Sequence, residues 1–159
     1  MALSKIQPAS IDLTANYAFT GTNSVAGISI EEKKLATQTA STSATLSFTS
    51  NIDSTYNIYK FRFVNIHPSD YEELGFQGST DSGSNYNTQI TSTFFQAYHT
   101  EAGSSGLSYL TNYDQGNGTN FQRLNYSTYT DNDSNLCGEL FIFDPSSTTF
   151  VKHFIARTQ

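Results

Sequence analysis

Six tyrosines, Tyr86, Tyr98, Tyr109, Tyr113, Tyr126 and Tyr129, fall between Asn85 and Asn135 among Asn, Gln and Asp. A phenol ring offers a flat face on which a sugar or base can stack, and Asn and Asp side chains can grip hydroxyl groups. Tyr86, Tyr109, Tyr113, Tyr126 and Tyr129 are therefore candidate glycan contacts. The plainer reading packs the same rings on sheet faces with their hydroxyls in water, and that reading carries more weight.

Residues suited to catalysis do not gather into a motif. His67, His99 and His153 are far apart, and His67 before Pro68 reads as a turn-stabilising residue. No Cys/His pair has zinc spacing, and neither a Gly-rich phosphate loop nor a Gly-x-Ser-x-Gly elbow is present. Asp131-Asn132-Asp133-Ser134-Asn135 matches the first ligand positions of a calcium loop. However, Leu136 stands where the sharp turn needs Gly, and Ile142 where the bidentate Glu should be. It reads as a polar turn. Glu72, Glu73, Glu101 and Asp114 could be paired on paper across a glycosidase cleft, but a chain of this length always contains some such set. Cys137 is the single cysteine, so no internal disulfide can form, and its apolar neighbours suggest a small buried thiol. The expectation is a non-enzymatic protein with no catalytic, cofactor-binding or metal-binding residues.

The elements that would position these groups are strands. The 159 residues suffice for one domain, or one domain and a short arm. Apolar residues make up 36% and charged residues only 14%, while Ser, Thr and Asn number 21, 21 and 13. A disordered chain of such polarity would have few aromatics. Here 12 Phe and 10 Tyr alternate with Thr and Ser, which suits pleated, half-buried surfaces. The net charge of −6 leaves no basic patch for nucleic acid. No apolar run reaches the roughly 18 residues of a membrane span, and the first residues lack a secretory signal.

Residues 1–40, rich in Ala, Ser and Thr, read as an extended N-terminal arm, and 41–159 as the folded domain. Leu46 and Phe48 begin the strand pattern. From Tyr56 to Asn65, Tyr59, Phe61 and Phe63 should share one face, with Lys60 and Arg62 on the other. Further strands are expected over 88–100, 107–110, 121–129, 137–143 and 150–155, with an Asn117-Gly118 hairpin signal and an Asp144-Pro145-Ser146-Ser147 turn. Seven or eight short strands without a long helix predict an all-β protein, a β-sandwich or jelly roll.

The stretch from Thr55 to Pro68, Thr-Tyr-Asn-Ile-Tyr-Lys-Phe-Arg-Phe-Val-Asn-Ile-His-Pro, resembles a pattern in virion structural proteins of marine and cyanobacterial tailed phages. There a Tyr-x-x-Tyr-x-Phe-x-Phe strand runs into Asn-x-His-Pro. The opening from Met1 to Ile6 and the segment from Phe150 to Phe154 are similar to the same group, and the likeness covers roughly residues 43–159. It implies a virion protein on the particle exterior, either a capsid decoration or a fibre or tail component, assembled in the bacterial host cytoplasm. The implied partners are other virion proteins and further copies of the chain, with a host glycan as the alternative for a receptor-binding module. Proteins of this group run on through further strands, whereas this sequence ends at Gln159. The expectation is thus a unit that is either continued or completed by a neighbour's strand, because an apolar edge is otherwise left open.

Overall fold

The alternation of large and charged residues after Tyr56 becomes the longest strand of the protein. The computed structural model describes residues 32–159, and contacts divide the chain after Leu35. The unit Ala36–Gln159 holds every strand described here. Of the expected arm, residues 1–31 lie outside the described residues, and 32–40 have no regular structure.

Seven strands occur among the described residues: β1 (Ile58–Ile66), β2 (Gly75–Phe76), β3 (Phe95–His99), β4 (Ser105–Tyr109), β5 (Gln122–Arg123), β6 (Leu136–Phe143) and β7 (His153–Thr158). Among the described residues there is no helix, and this part of the protein is all-β. Three antiparallel sheets form: β1-β6-β7, the short pair β2-β5, and the ribbon β3-β4.

In the three-stranded sheet the inner face takes Tyr59 and Phe61 of β1, opposite Ile142 and Leu140 of β6, which in turn face Phe154 and Ala156 of β7. Tyr59, Leu140 and Leu136 are buried. The Tyr59 hydroxyl donates to Asp53 O (2.9 Å) and accepts the Asp53 N–H (3.0 Å), so the preceding loop is clasped to the core ring. Phe61 meets Phe48 edge-on at 5.5 Å, and Phe76 of β2 meets Phe154 of β7 at 4.9 Å. Such aromatic pairs add to the stabilisation that comes from their buried area.

A second cluster lies among the loops. Ile90, Tyr113 and Leu124 are buried together with three polar residues, Gln122, Asn125 and Thr128. Each polar side chain is satisfied, as burial requires. Gln122 Nε2 donates to Arg123 O (2.9 Å) and Tyr113 O (3.2 Å), and Gln122 Oε1 accepts the Ser92 hydroxyl (2.5 Å). Asn125 Nδ2 donates to Thr128 Oγ1 (2.8 Å), and Asn125 Oδ1 accepts the Leu74 N–H (2.6 Å).

Several expected strands are shorter than their sequence pattern, because side chains take the place of ladder partners. Over 88–100 only Phe95–His99 is a strand; the Phe94 N–H goes to Asp114 Oδ1 (2.7 Å). Over 121–129 only Gln122 and Arg123 pair as a strand, since the Asn125 side chain captures the Leu74 N–H. Asn117 has the positive φ of a turn (60°), but Gly118 exchanges backbone hydrogen bonds with Ile90 (2.8 and 2.9 Å) rather than opening a hairpin. Leu46 and Phe48 form no strand; Thr42 and Asn51, with φ of 51° and 63°, turn the chain on either side.

Cys137 is exposed, not the buried thiol expected. The reason is a β-bulge: between the pairs Phe63↔Gly138 and Ile66↔Leu136, β1 carries two residues against one on β6. Asn65 turns to φ 57° there, and its N–H donates to Cys137 Sγ (3.4 Å). His67, expected to stabilise its own turn, instead has Nδ1 2.6 Å from Ser134 O, a contact to a loop 67 positions away.

Candidate interaction surfaces

The outer face of the three-stranded sheet follows from its register. Directly opposed residues share a face, so Ile58, Phe143 and His153 line up, as do Lys60, Phe141 and Ile155, and Arg62, Glu139 and Arg157. Ile58, Val64 and Ile155 are 55%, 68% and 61% exposed. Phe141 and Phe143 lie near parallel at 6.4 Å, and Lys60 Nζ stands 5.2 Å over the Phe141 ring and 3.2 Å from Glu139 Oε2. Lys60, Arg62 and Arg157 thus bring three of the eight Lys and Arg residues to one face of a chain with net charge −6.

The β3-β4 ribbon carries a second open stripe. Phe95 stacks on its partner Tyr109 at 5.0 Å, and Ala97 pairs with Leu107, which is 77% exposed. On the other face Tyr98 covers Gly106, where a β-carbon would stand 2.8 Å from Tyr98 Cε1. A two-stranded ribbon is marginal by itself in water, and this one presents its larger apolar residues outward.

Of the five candidate tyrosines, Tyr113 and Tyr126 meet, and the other three have separate surroundings. Tyr113 is buried: its ring stacks on Tyr126 at 5.7 Å, meets Phe94 at 5.0 Å and lies 4.6 Å under the Arg123 guanidinium. Its hydroxyl donates to Glu73 Oε1 (3.0 Å), with Tyr126 O at 3.1 Å. Burial, and then the bond to Glu73, push its pKa up. Tyr109 is exposed and donates its hydroxyl to Asp114 Oδ2, a bond that raises its pKa. Tyr129 is exposed and meets Tyr71 edge-on at 5.4 Å. Tyr86 is half-buried over Gly83. Among the described residues, ring contacts join Tyr113 only to Tyr126 within this set, so the five do not form one stacking platform.

The carboxylates also separate by role. Glu73 lies 3.7 Å from Arg123 Nη1, Asp114 holds Phe94 and Tyr109, and Glu72 pairs by its backbone with Thr128. Asp131 O accepts the Ser134 N–H (2.9 Å) in the turn that resembled a calcium loop. Among the described residues no group of three or more His, Cys, Asp or Glu is arranged around a common point.

Beside Tyr113 and Asp114 a pocket of about 250 Å³ opens, lined also by Asn112, Gln115, Asn120, Phe121 and Arg123. Its walls come from 112–123, where the backbone turns twice without forming a long strand. Sequence reasoning singled out the tyrosines and Asp114 but missed Asn112, Asn120, Phe121 and Arg123. The density of Asn between 112 and 125 was the signal available. Comparison of the chain with protein-family models, curated proteins and solved structures gives no match.

Proposed function

We propose that this chain is a non-enzymatic structural protein on the exterior of a bacteriophage particle, serving as a capsid decoration or a fibre or tail component. The observation that carries the assembly part of this reading is the unequal share of apolar side chains. Among the described residues, six apolar residues are buried, while fifteen large ones are at least 38% exposed. Scattered apolar residues are normal on a surface, but contiguous ones signal interaction. The outer face of β1-β6-β7 and the Phe95/Tyr109/Leu107 stripe are contiguous in this sense.

The phage part rests on the resemblance of Thr55 to Pro68 to virion structural proteins. In this reading the three sheets belong to a jelly-roll-like sandwich of seven to eight strands, and residues 1–40 dock on the particle. Other virion proteins and further copies of the chain cover the open faces. No chemistry is asked of the domain; its task is burial of surface against its neighbours.

Immunogold electron microscopy of purified particles, with an antibody to this chain, tests the proposal. Label on heads indicates a decoration, and label on tails or fibres a tail component. Unlabelled particles, with an antibody that recognises the purified chain, reject the virion reading.

A further inference from the structure

Beyond the end of the three-stranded sheet the chain builds a surface whose charge is opposite to that of the sheet's outer face. We infer that the two bind each other between copies of the chain. The outer face of β1-β6-β7 in one copy seats an acidic flank, residues 70–72 and 129–133, of a second copy. The contact rests on the assembly reading above and names its two surfaces.

The flank is positioned by three pairings. Past Ile66 and Leu136, where β1 and β6 stop pairing, segments 67–72 and 128–134 run side by side in opposite directions. The Thr128 N–H donates to Glu72 O (3.2 Å), the Tyr71 and Tyr129 rings meet edge-on at 5.4 Å, and His67 Nδ1 lies 2.6 Å from Ser134 O. This brings Asp70, Glu72, Asp131 and Asp133 to one place, all exposed, in two segments that contain no Lys or Arg. None of the four carboxylates has an ion pair among the described residues. Tyr71 and Tyr129 are exposed in their midst.

The sheet face has the complementary composition. Ile58, Val64 and Ile155 are exposed on it, and so are Arg62 and Arg157. The register places Glu139 between the two arginines, but its carboxylate reaches Lys60 Nζ (3.2 Å), and neither arginine has an ion pair among the described residues. A guanidinium pairs with a carboxylate through two parallel bonds and also stacks on an aromatic face. Arg and Tyr are accordingly enriched where protein surfaces meet.

Charge selects the partner and the place. Two copies with net charge −6 repel each other over most orientations. The orientation that sets Arg62 and Arg157 against the flank replaces that repulsion with attraction, while the aliphatic side chains and the two tyrosines are withdrawn from water.

Sedimentation velocity on the full chain, over a concentration series at low and high salt, tests the contact. The parent should associate, and added salt should weaken the association, because screening shortens from about 10 Å at 0.1 M to about 3 Å at 1 M. Arg62→Glu with Arg157→Glu removes the face, and Asp131→Lys with Asp133→Lys removes the flank. Each variant alone should associate about ten-fold or more weakly than the parent. An equimolar mixture of the two should associate again, because each retains the surface that the other lacks. Thermal unfolding checks that the variants are folded; if one is not, Arg62→Gln with Arg157→Gln and Asp131→Asn with Asp133→Asn make the same comparison. The contact is overturned by a parent that stays monomeric throughout the series, by either variant associating as the parent does, or by a mixture of folded variants that stays monomeric. A monomeric parent on particles that carry immunogold label rejects the contact and keeps the virion reading. Complementing variants with unlabelled particles do the reverse.

Discussion

Gly138 lies so close to Arg157 across the β6-β7 ladder that a β-carbon at position 138 would overlap the Arg157 carbonyl oxygen. It would also stand 2.8 Å from Thr158 Cγ2 and 2.9 Å from Thr158 Cα. Two of these three obstacles are backbone atoms, which cannot rotate away. Gly138 also pairs with Phe63 of β1, so it sits where all three strands of the sheet meet. Gly138→Ala is expected to destabilise the protein by about 1–3 kcal/mol, the cost of overpacking a filled site. Urea unfolding followed by circular dichroism measures it, and a variant as stable as the parent would contradict this packing.

Tyr113 joins the loop cluster to the pocket wall, so its ring and its hydroxyl can be tested apart. Tyr113→Phe keeps the ring but strands the Glu73 bond, at a cost of about 1 kcal/mol. Tyr113→Ala also removes a buried ring and should cost about 3–5 kcal/mol. The same comparison by thermal unfolding separates packing from hydrogen bonding.

The raised pKa values of Tyr113 and Tyr109 set a pH dependence at the alkaline end. A folded pKa above the ordinary 10.0 means that the contribution of each phenol is complete below pH 10 and is lost as pH rises through the folded value. Ultraviolet titration should show a late-ionising component. Tyr113→Phe and Tyr109→Phe should each remove part of it, and a titration in which all tyrosines ionise together would contradict the two bonds.

Asp81 acts at the acid end. Asn85 donates to both of its oxygens, through its side chain to Oδ2 (2.6 Å) and its backbone N–H to Oδ1 (2.8 Å), and Ser79 donates to Oδ1 (2.7 Å). The Asn85 side-chain bond first, and the Ser79 bond next, lower its pKa from 3.8 to about 2. The depressed value means that the loop from Ser79 to Asn85 keeps this support above pH 3.8 and loses it as pH falls towards 2. Amide chemical shifts of Asn85 followed through that window should move with the Asp81 carboxyl. In Asp81→Asn the same shifts should stay flat.

The open sheet face supplies the test of assembly. Val64 and Ile155 are both exposed, so Val64→Asp with Ile155→Asp should change folding stability by no more than about 0.5 kcal/mol per site. If copies of the chain cover this face, sedimentation velocity should show an oligomer for the parent and a smaller species for the variant. A parent that sediments as a monodisperse 17.5 kDa monomer counts against self-assembly.

The sequence by itself determined the local pattern. Tyr59, Phe61 and Phe63 alternate with Lys60 and Arg62, and a strand of period two is the only element that separates them. The apolar residues of β6 and the turn at Asp144, where Ser147 N–H returns to Asp144 O at 3.1 Å, were legible for the same reason. They depend on neighbours within a few positions. Tertiary structure decided the rest. Whether 88–100 and 121–129 pair along their whole length depends on Asp114 and Asn125 taking backbone N–H groups from residues 20 and 51 positions away. Whether Cys137 is exposed depends on a bulge in a strand 72 positions earlier. The shape of the loop around Tyr113 depends on Ser92 accepting the Gln115 N–H, 23 positions away, and on Gln122 donating to the Tyr113 carbonyl. Each is a competition between side-chain and backbone partners, and no local spacing records which partner wins.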